Sequence, residues 1–187
     1  MVKVDHKTMK EKPQLFFRIF ETDFGWAALC GDDQVLSRFI LPESCKQAVL
    51  QKIIQGKQEK AKYIETEHNF DGLVKRILHY FQGEKVAFSD VKVDLKYYSP
   101  FQKAILVQTR RIPYGQTRSY GWVAKQAGYP KAFRATGGVM RINPLPLIIP
   151  CHRVLGSQGQ LTGFSATGGL ALKEKMLQME NGLPRNH

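Results

Sequence analysis

No run of apolar residues in this chain approaches the ~20 that a membrane-spanning helix needs, so no spanning helix is expected. Cysteine is scarce. Three residues, an odd number, are too few for a disulfide scaffold, and a reducing setting is the expectation. The opening residues Met1-Val2-Lys3-Val4-Asp5-His6 lack the apolar stretch of a secretory leader, so none is expected. There is no C-x-x-C and no H-x-x-x-H. Cys30, Cys45, His68 and His79 match no usual zinc spacing, so neither a metal nor a cofactor is expected. The glycine-rich stretch from Gly163 to Gly169 lacks the G-K-[ST] of a phosphate loop. No internal repeat is evident. Apolar residues at 43% and charged residues at 24% exclude a disordered or low-complexity chain, and 187 residues suffice for one compact unit or two small ones.

Carboxylates are the other shortage. Asp and Glu total 16 against 28 Lys and Arg, for a net charge of +12 and a pI of about 9.7. The deficit is confined to one half. Residues 1–90 hold 14 basic and 13 acidic side chains, whereas residues 91–187 hold 14 and 3. No carboxylate side chain lies between Asp94 and Glu174. Solubility does not require such confinement; a surface that meets an anion does. Nucleic acid is the leading partner, with an anionic membrane surface behind it.

The first half reads as a β-meander followed by helices. Leu15–Phe20, Trp26–Cys30 and Val35–Leu41 are β-prone runs separated by turns at Asp23-Phe24-Gly25 and Gly31-Asp32-Asp33. Ser44 reads as an N-cap, with Ala48, Val49, Ile53 and Ile54 at helical spacing behind it and Cys45 just inside the helix. A second helix is predicted from about Asp71 to Gly83, with Leu73, Ile77, Leu78 and Phe81 on one face. Cys30 and Cys45 are read as packing residues. The second half is mostly helical. Ser99-Pro100 opens one helix, Ser119 caps a short one over Tyr120–Ala127, and another runs from Lys131 to about Arg141. Leu147-Ile148-Ile149 is a short buried run. A last amphipathic helix carries Leu170, Leu172, Met176 and Leu177. The charge break places a domain boundary near 95, giving an α/β domain over 1–95 and a helical domain over 96–187.

Two short helices joined by a turn have the size of a helix-turn-helix, although any helical hairpin shares that pattern. The second contains Gly137 and Gly138, each costing about 1 kcal/mol relative to alanine inside a helix. Close approach of the backbone to a partner is one reason for that cost; tight packing on a neighbouring helix is the other.

Pro150-Cys151-His152-Arg153-Val154 is the sharpest local feature. A thiolate is the reactive form of cysteine, His152 can act as its base, and Arg153 adds positive charge nearby. A buried, inert cysteine is the plainer alternative. Adjacent strand residues point to opposite faces, so cooperation between Cys151 and His152 needs a turn or helical start here.

These residues resemble the active-site signature of the O6-alkylguanine-DNA alkyltransferases, also called methylated-DNA–protein-cysteine methyltransferases. The resemblance extends over Ile112–Tyr120, Ala132–Arg141, Asn143–Pro150, Gly169–Glu174 and Glu180, about residues 99–182. It implies an N-terminal α/β domain with a three-stranded antiparallel sheet and a helical domain with a helix-turn-helix. The implied activity is DNA repair. A flipped O6-alkylguanine gives its alkyl group irreversibly to Cys151, with His152 deprotonating the thiol through water and Glu180 orienting His152. Tyr120 is the implied proton donor to guanine and Asn143 holds the turn before the site. Arg134 fills the gap left by the flipped nucleotide. Ala132, Ala135, Gly137 and Arg141 belong to the recognition helix, implied to enter the minor groove of double-stranded DNA. Tyr129, Val154 and Ser157 are implied base or DNA contacts, and the O6 contact falls to Ser165 or Thr167. The implied protein is a monomer without membrane association, cytoplasmic and nucleoid-associated in a prokaryote or nuclear in a eukaryote.

Overall fold

A computed structural model describes residues 14–56 and 61–182; the segment Met1–His6, read above for a leader, lies outside them. Strands β1 (Gln14–Thr22), β2 (Gly25–Gly31) and β3 (Leu36–Glu43) form the expected antiparallel meander. The sheet has four strands rather than three. Residues 62–65 add β4 (Lys62–Glu65) parallel to β1, in the order β3-β2-β1-β4. Period-two alternation then buries both faces of the sheet. Ala28, Cys30 and Ile40 pack under α1 (Lys46–Gln55) with Val49 and Ile53. Ala27, Leu29, Phe39 and Leu41 face the opposite way into a larger core.

That larger core crosses residue 95. It joins the sheet and α2 (Asp71–Phe81) to Ile105 and Leu106 of α3 (Pro100–Arg110) and Val123 of α4 (Tyr120–Gln126). Val139 and Met140 of α5 (Phe133–Arg141) and Met176 of α6 (Gly169–Met179) complete it. Among the described residues no helix is long and apolar enough to cross a membrane.

Helix starts follow the predicted chemistry with two shifts. Ser99 caps α3 in a full capping box with Gln102, and Ser119 accepts from the Trp122 N–H at the start of α4. The first helix, however, is capped by Cys45, not Ser44, and without a side-chain hydrogen bond. Strand β3 runs on to Glu43, which is anchored to Lys52, so the chain is still extended at Cys45. Cys45 is therefore exposed, not a packing residue. Helix α5 begins at Phe133 with Ala132 as its N-cap, two residues later than expected. Leu170, expected on the inner face of the last helix, and Ile54 of α1 are exposed.

Three backbone connections position the site. The β3 residue Phe39 donates its N–H to Pro144 O at 2.9 Å, fixing the sheet against the segment before Cys151. Leu36 accepts from Asp94 and donates to Lys92, so the chain between the halves is stitched to the same strand. Strand β5 (Arg118–Ser119) pairs in parallel with β6 (Val154–Leu155), which brings the start of α4 beside the residues that follow His152.

Candidate active site

The approach to Cys151 is a kink. Leu147, fully buried, holds a left-handed backbone with φ 71°, a conformation that costs about 1–3 kcal/mol and persists only where its surroundings impose it. Asn143 imposes it. Its side-chain N–H donates to Ile149 O at 2.8 Å and its Oδ1 accepts from Leu145 N at 3.1 Å, stapling both ends of the kink. The chain then enters a 3-10 turn over Cys151–Arg153. This is the turn that cooperation between adjacent Cys151 and His152 requires.

Behind the turn lies a buried polar cluster. Glu180, 2% exposed, is its centre. Its Oε1 accepts from His152 Nε2 at 2.8 Å, from the Tyr80 hydroxyl at 2.6 Å and from Arg153 Nη2 at 3.0 Å. Its Oε2 accepts from Arg153 Nε at 2.8 Å and from the Gly115 N–H at 3.3 Å. Gly115 has φ +72°, and a Cβ there would lie 2.8 Å from the Glu180 carbonyl oxygen, so only glycine lets the 112–115 turn close on Glu180. Burial pushes the Glu180 carboxyl up, but the hydrogen bonds from His152 and Arg153 outweigh it and hold the group well below the usual carboxylate range. Burial drives His152 the other way, below its ordinary value, and Glu180 only partly restores it. The 2.8 Å contact is therefore a hydrogen bond from a neutral imidazole at neutral pH, not an ion pair. Since a carboxylate can only accept, Nε2 carries the proton. Nδ1, buried and without a partner among the described residues, is left as the basic nitrogen.

Cys151 itself is 7% exposed. Burial pushes its thiol up. The Asn143 amide, the Lys173 cation and the N–H groups of Cys151 and His152 pull it down without cancelling that effect. Lys173 is fully buried and donates to Val154 O at 2.6 Å and Thr162 O at 2.8 Å. Burial lowers its pKa to about 8, against an opposing upward pull from Cys151. Tyr120 donates its hydroxyl to Thr162 O at 3.2 Å. Burial raises its pKa, as does the neighbouring Cys151, so the phenol keeps its proton.

Cys151 and Asn143 open on a cavity of about 160 Å3. Its other walls are Phe39–Leu41 of β3, Met140 of α5, and Phe164, Ser165 and Ala166. Ser165 donates to Arg141 O at 3.0 Å, whereas the Thr167 hydroxyl accepts from Lys52 Nζ at 2.6 Å. Tyr129 stacks edge-on against Phe101, and Ser157 is exposed in the turn after β6; neither lines the cavity. Val154 is buried, with its carbonyl already accepting from Lys173.

Helix α5 presents Phe133, Arg134, Ala135, Gly138 and Arg141 to the outside, with Arg134 lying over the Phe133 ring. Packing does not explain its glycines. Among the described residues, a Cβ on Gly138 would meet nothing within 4 Å, and one on Gly137 only Tyr120 Cε1 at 3.9 Å. Tight packing on a neighbouring helix is thereby set aside.

Three participants were not legible as such. Tyr80 and Lys173 were visible only as positions on apolar helix faces, beside Ile77 and Met176 respectively. Arg153, expected to add charge near the thiol, is committed to Glu180 and to Ile112 O at 2.7 Å.

A mixed sheet and a helical half sharing one core, with a buried cysteine beside a carboxylate-held histidine, define a class of cysteine-dependent transfer protein. A family model described as the DNA-binding domain of 6-O-methylguanine DNA methyltransferase matches residues 100–182. A methylated-DNA–protein-cysteine methyltransferase of Methanosarcina acetivorans is 36% identical over 169 residues, covering 89% of this chain and 98% of that protein. The crystal structure of Mycobacterium tuberculosis O6-methylguanine methyltransferase superposes with a TM-score of 0.73 at 33% identity, covering 92% of this chain and 96% of that one. The Mycobacterium tuberculosis protein in complex with DNA gives 0.73 at 32%, covering 89% and 92%. The chain belongs to the methylated-DNA–protein-cysteine methyltransferase family.

Proposed function

We propose that this protein repairs duplex DNA by flipping out an O6-alkylguanine and taking its alkyl group onto Cys151, once and irreversibly. The observation that carries this reading is the orientation of His152. Glu180 holds Nε2–H, which leaves Nδ1 as a lone-pair base on the residue that follows Cys151, itself on the cavity wall.

His152 Nδ1 takes the thiol proton through a water, and Glu180 stabilises the imidazolium. The thiolate sulfur attacks the alkyl carbon, and the carbon–O6 bond breaks with its electron pair on guanine. Tyr120 supplies a proton to the departing base. Asn143 and Lys173 stabilise the thiolate before attack. The resulting thioether resists displacement by water, so the protein is consumed. Ser165, on the cavity wall, faces O6 in this reading, and Val154 O accepts from the guanine amine.

DNA is the partner in this reading, as it is for the Mycobacterium tuberculosis protein. Helices α4 and α5 act as a helix-turn-helix with α5 in the minor groove, where small residues admit close approach and an inserted side chain offsets the unstacking. Ala132, Ala135 and Gly137 give that clearance, Arg141 meets phosphate, and Arg134 fills the vacated stack. In this reading the protein acts as a monomer.

Intact-mass analysis after mixing with a duplex containing one O6-methylguanine tests the reading. One methyl group per protein, mapped to the Cys151 peptide, is expected. Repeated turnover, or a label on Cys30 or Cys45, refutes it.

The open space at Gly138 yields a second test. Gly138→Ala is expected to stabilise the fold by about 0.5–1 kcal/mol, since the added methyl touches nothing and alanine is the better helix former. Duplex affinity is expected to fall at the same time, because the methyl projects into the groove-facing side. Thermal unfolding and fluorescence anisotropy read the two opposite signs. Unchanged affinity would remove α5 from the groove.

A further inference from the structure

Tyr80 has no part in the chemistry described so far, yet it reaches the centre of the buried cluster. It is fully buried on α2, and its hydroxyl donates to Glu180 Oε1 at 2.6 Å. The same hydroxyl oxygen stands 3.4 Å from His152 Nε2. Two donors, the phenol and the imidazole, thus converge on one carboxylate oxygen. A polar contact this deep is costly unless it is fully paired, and a phenylalanine would fill the same space without that requirement.

We propose that Tyr80 is a positioning residue for alkyl transfer: its hydroxyl shares Glu180 Oε1 with His152 and so keeps the imidazole a neutral base. The inference rests on the reading of His152 as the base for Cys151. A carboxylate that accepts several hydrogen bonds concentrates less charge on any one donor. Every donation from Tyr80 weakens the pull of Glu180 on the imidazolium and leaves His152 less easily protonated. Burial and the neighbouring Glu180 charge raise the phenol's own pKa well above its ordinary value, so the hydroxyl remains a donor over the working range. The other groups facing the cluster are Arg153 from the 3-10 turn, Tyr114 and the Gly115 N–H from the 112–115 turn, and Lys173 from α6. They are unchanged when Tyr80 is altered, so the effect is a shift in His152 titration, not a collapse of the site.

The test is single-turnover methyl transfer from an O6-methylguanine duplex across the pH range, in the full chain. In Tyr80→Phe the acid limb of the rate profile is expected to move up by about half a unit to one unit, lowering the rate about three- to tenfold on the acid side. The rate on the alkaline side stays near wild type. Replacing Tyr80 with 3-fluorotyrosine keeps the hydroxyl and makes it a stronger donor, so the limb is expected to move down. This second variant decides the matter if Tyr80→Phe folds poorly. NMR titration of the His152 ring, identified by its loss in His152→Asn, should show the same two shifts without any alkyl transfer. Coincident His152 titrations in all three proteins overturn the role of Tyr80. A shifted titration in a protein whose Cys151 gains no methyl group leaves Tyr80 in place and refutes the transfer reading alone.

Discussion

Cys151→Ser is expected to abolish alkyl transfer while leaving the fold and duplex binding intact. The substitution exchanges one atom. Serine still accepts from the Asn143 amide and the neighbouring N–H groups that surround Sγ, so no buried donor is orphaned. The reactivity changes far more than the packing. A thiol ionises near pH 8.5, about, and is intrinsically nucleophilic, whereas a hydroxyl must be deprotonated against a much larger penalty. Burial already pushes the Cys151 thiol above its ordinary value, and in the proposed reaction the Nδ1 base of His152 offsets that for sulfur. The same base cannot close the larger gap for oxygen. The residues proposed to meet DNA, Arg134, Ala135 and Gly138, are on the exposed face of α5, whereas its buried Met140 is the residue that lines the cavity with Cys151. Intact mass should show no methyl uptake by Cys151→Ser, and a gel shift should show wild-type affinity. Residual uptake at a wild-type rate would place the acceptor elsewhere.

How far the chain announced this site depends on the range of each interaction. Cys151 and His152 are adjacent, and a proline-flanked turn after an apolar run was enough to mark them. The meander was legible because turn residues separate three alternating runs. Strand β4 was not. Lys62-Tyr63-Ile64-Glu65 is four residues long and only half-buried, and its partner is β1, far away in sequence. Tyr80 illustrates the same limit on the site. Helical spacing puts it on the face with Ile77 and Phe81, but nothing local says that its hydroxyl meets a carboxylate from the far end of the chain. The β3 wall of the cavity is invisible for the same reason. It exists because Phe39 pairs with Pro144 across the two halves. Gly138 is a case where sequence left two readings and geometry removed one: packing needs no glycine there.

Lys173 completes the electrostatic picture around the thiol. It sits on the inward stripe of α6, where a lysine is rarely tolerated unless its charge has a use. Two carbonyls hold its ammonium, and its charge acts on Cys151. Since burial has brought its pKa down to about 8, the cation is present at neutral pH and fades above that value. In the proposed reaction, thiolate stabilisation by Lys173 and proton acceptance by His152 therefore overlap in the neutral range: the first is lost as pH rises, the second as it falls.

Glu180→Gln is expected to damage stability and rate together, with a characteristic pH signature. The amide keeps an acceptor for one donor, but the negative charge that balances Arg153 is gone. Arg153 is 6% exposed and cannot recover water, so removing its buried partner should cost about 3–5 kcal/mol. The sign of the pH effect follows from the two shifts. Glu180 lies below the ordinary carboxylate value in the folded state, so its contribution is present above the unfolded pKa near 4.3, roughly, and is lost as pH falls toward the folded value. The variant lacks that acid-labile increment and is expected to be uniformly less stable above pH 5, about, with the gap to wild type narrowing in acid. His152 acts in a higher window. Its folded pKa is depressed, so the unfolded chain binds the extra proton and stability falls as pH drops below about 6.5 in both proteins. For the reaction, the imidazolium formed after proton transfer loses its counter-charge, which slows transfer. The acid limb of the rate profile moves down in pH, because His152 without the carboxylate is still harder to protonate. Denaturant unfolding between pH 3 and 8 and single-turnover transfer over the same range read both effects. Wild-type stability at pH 7 would show that Arg153 finds another partner, and an unmoved rate profile would detach Glu180 from His152 in the chemistry.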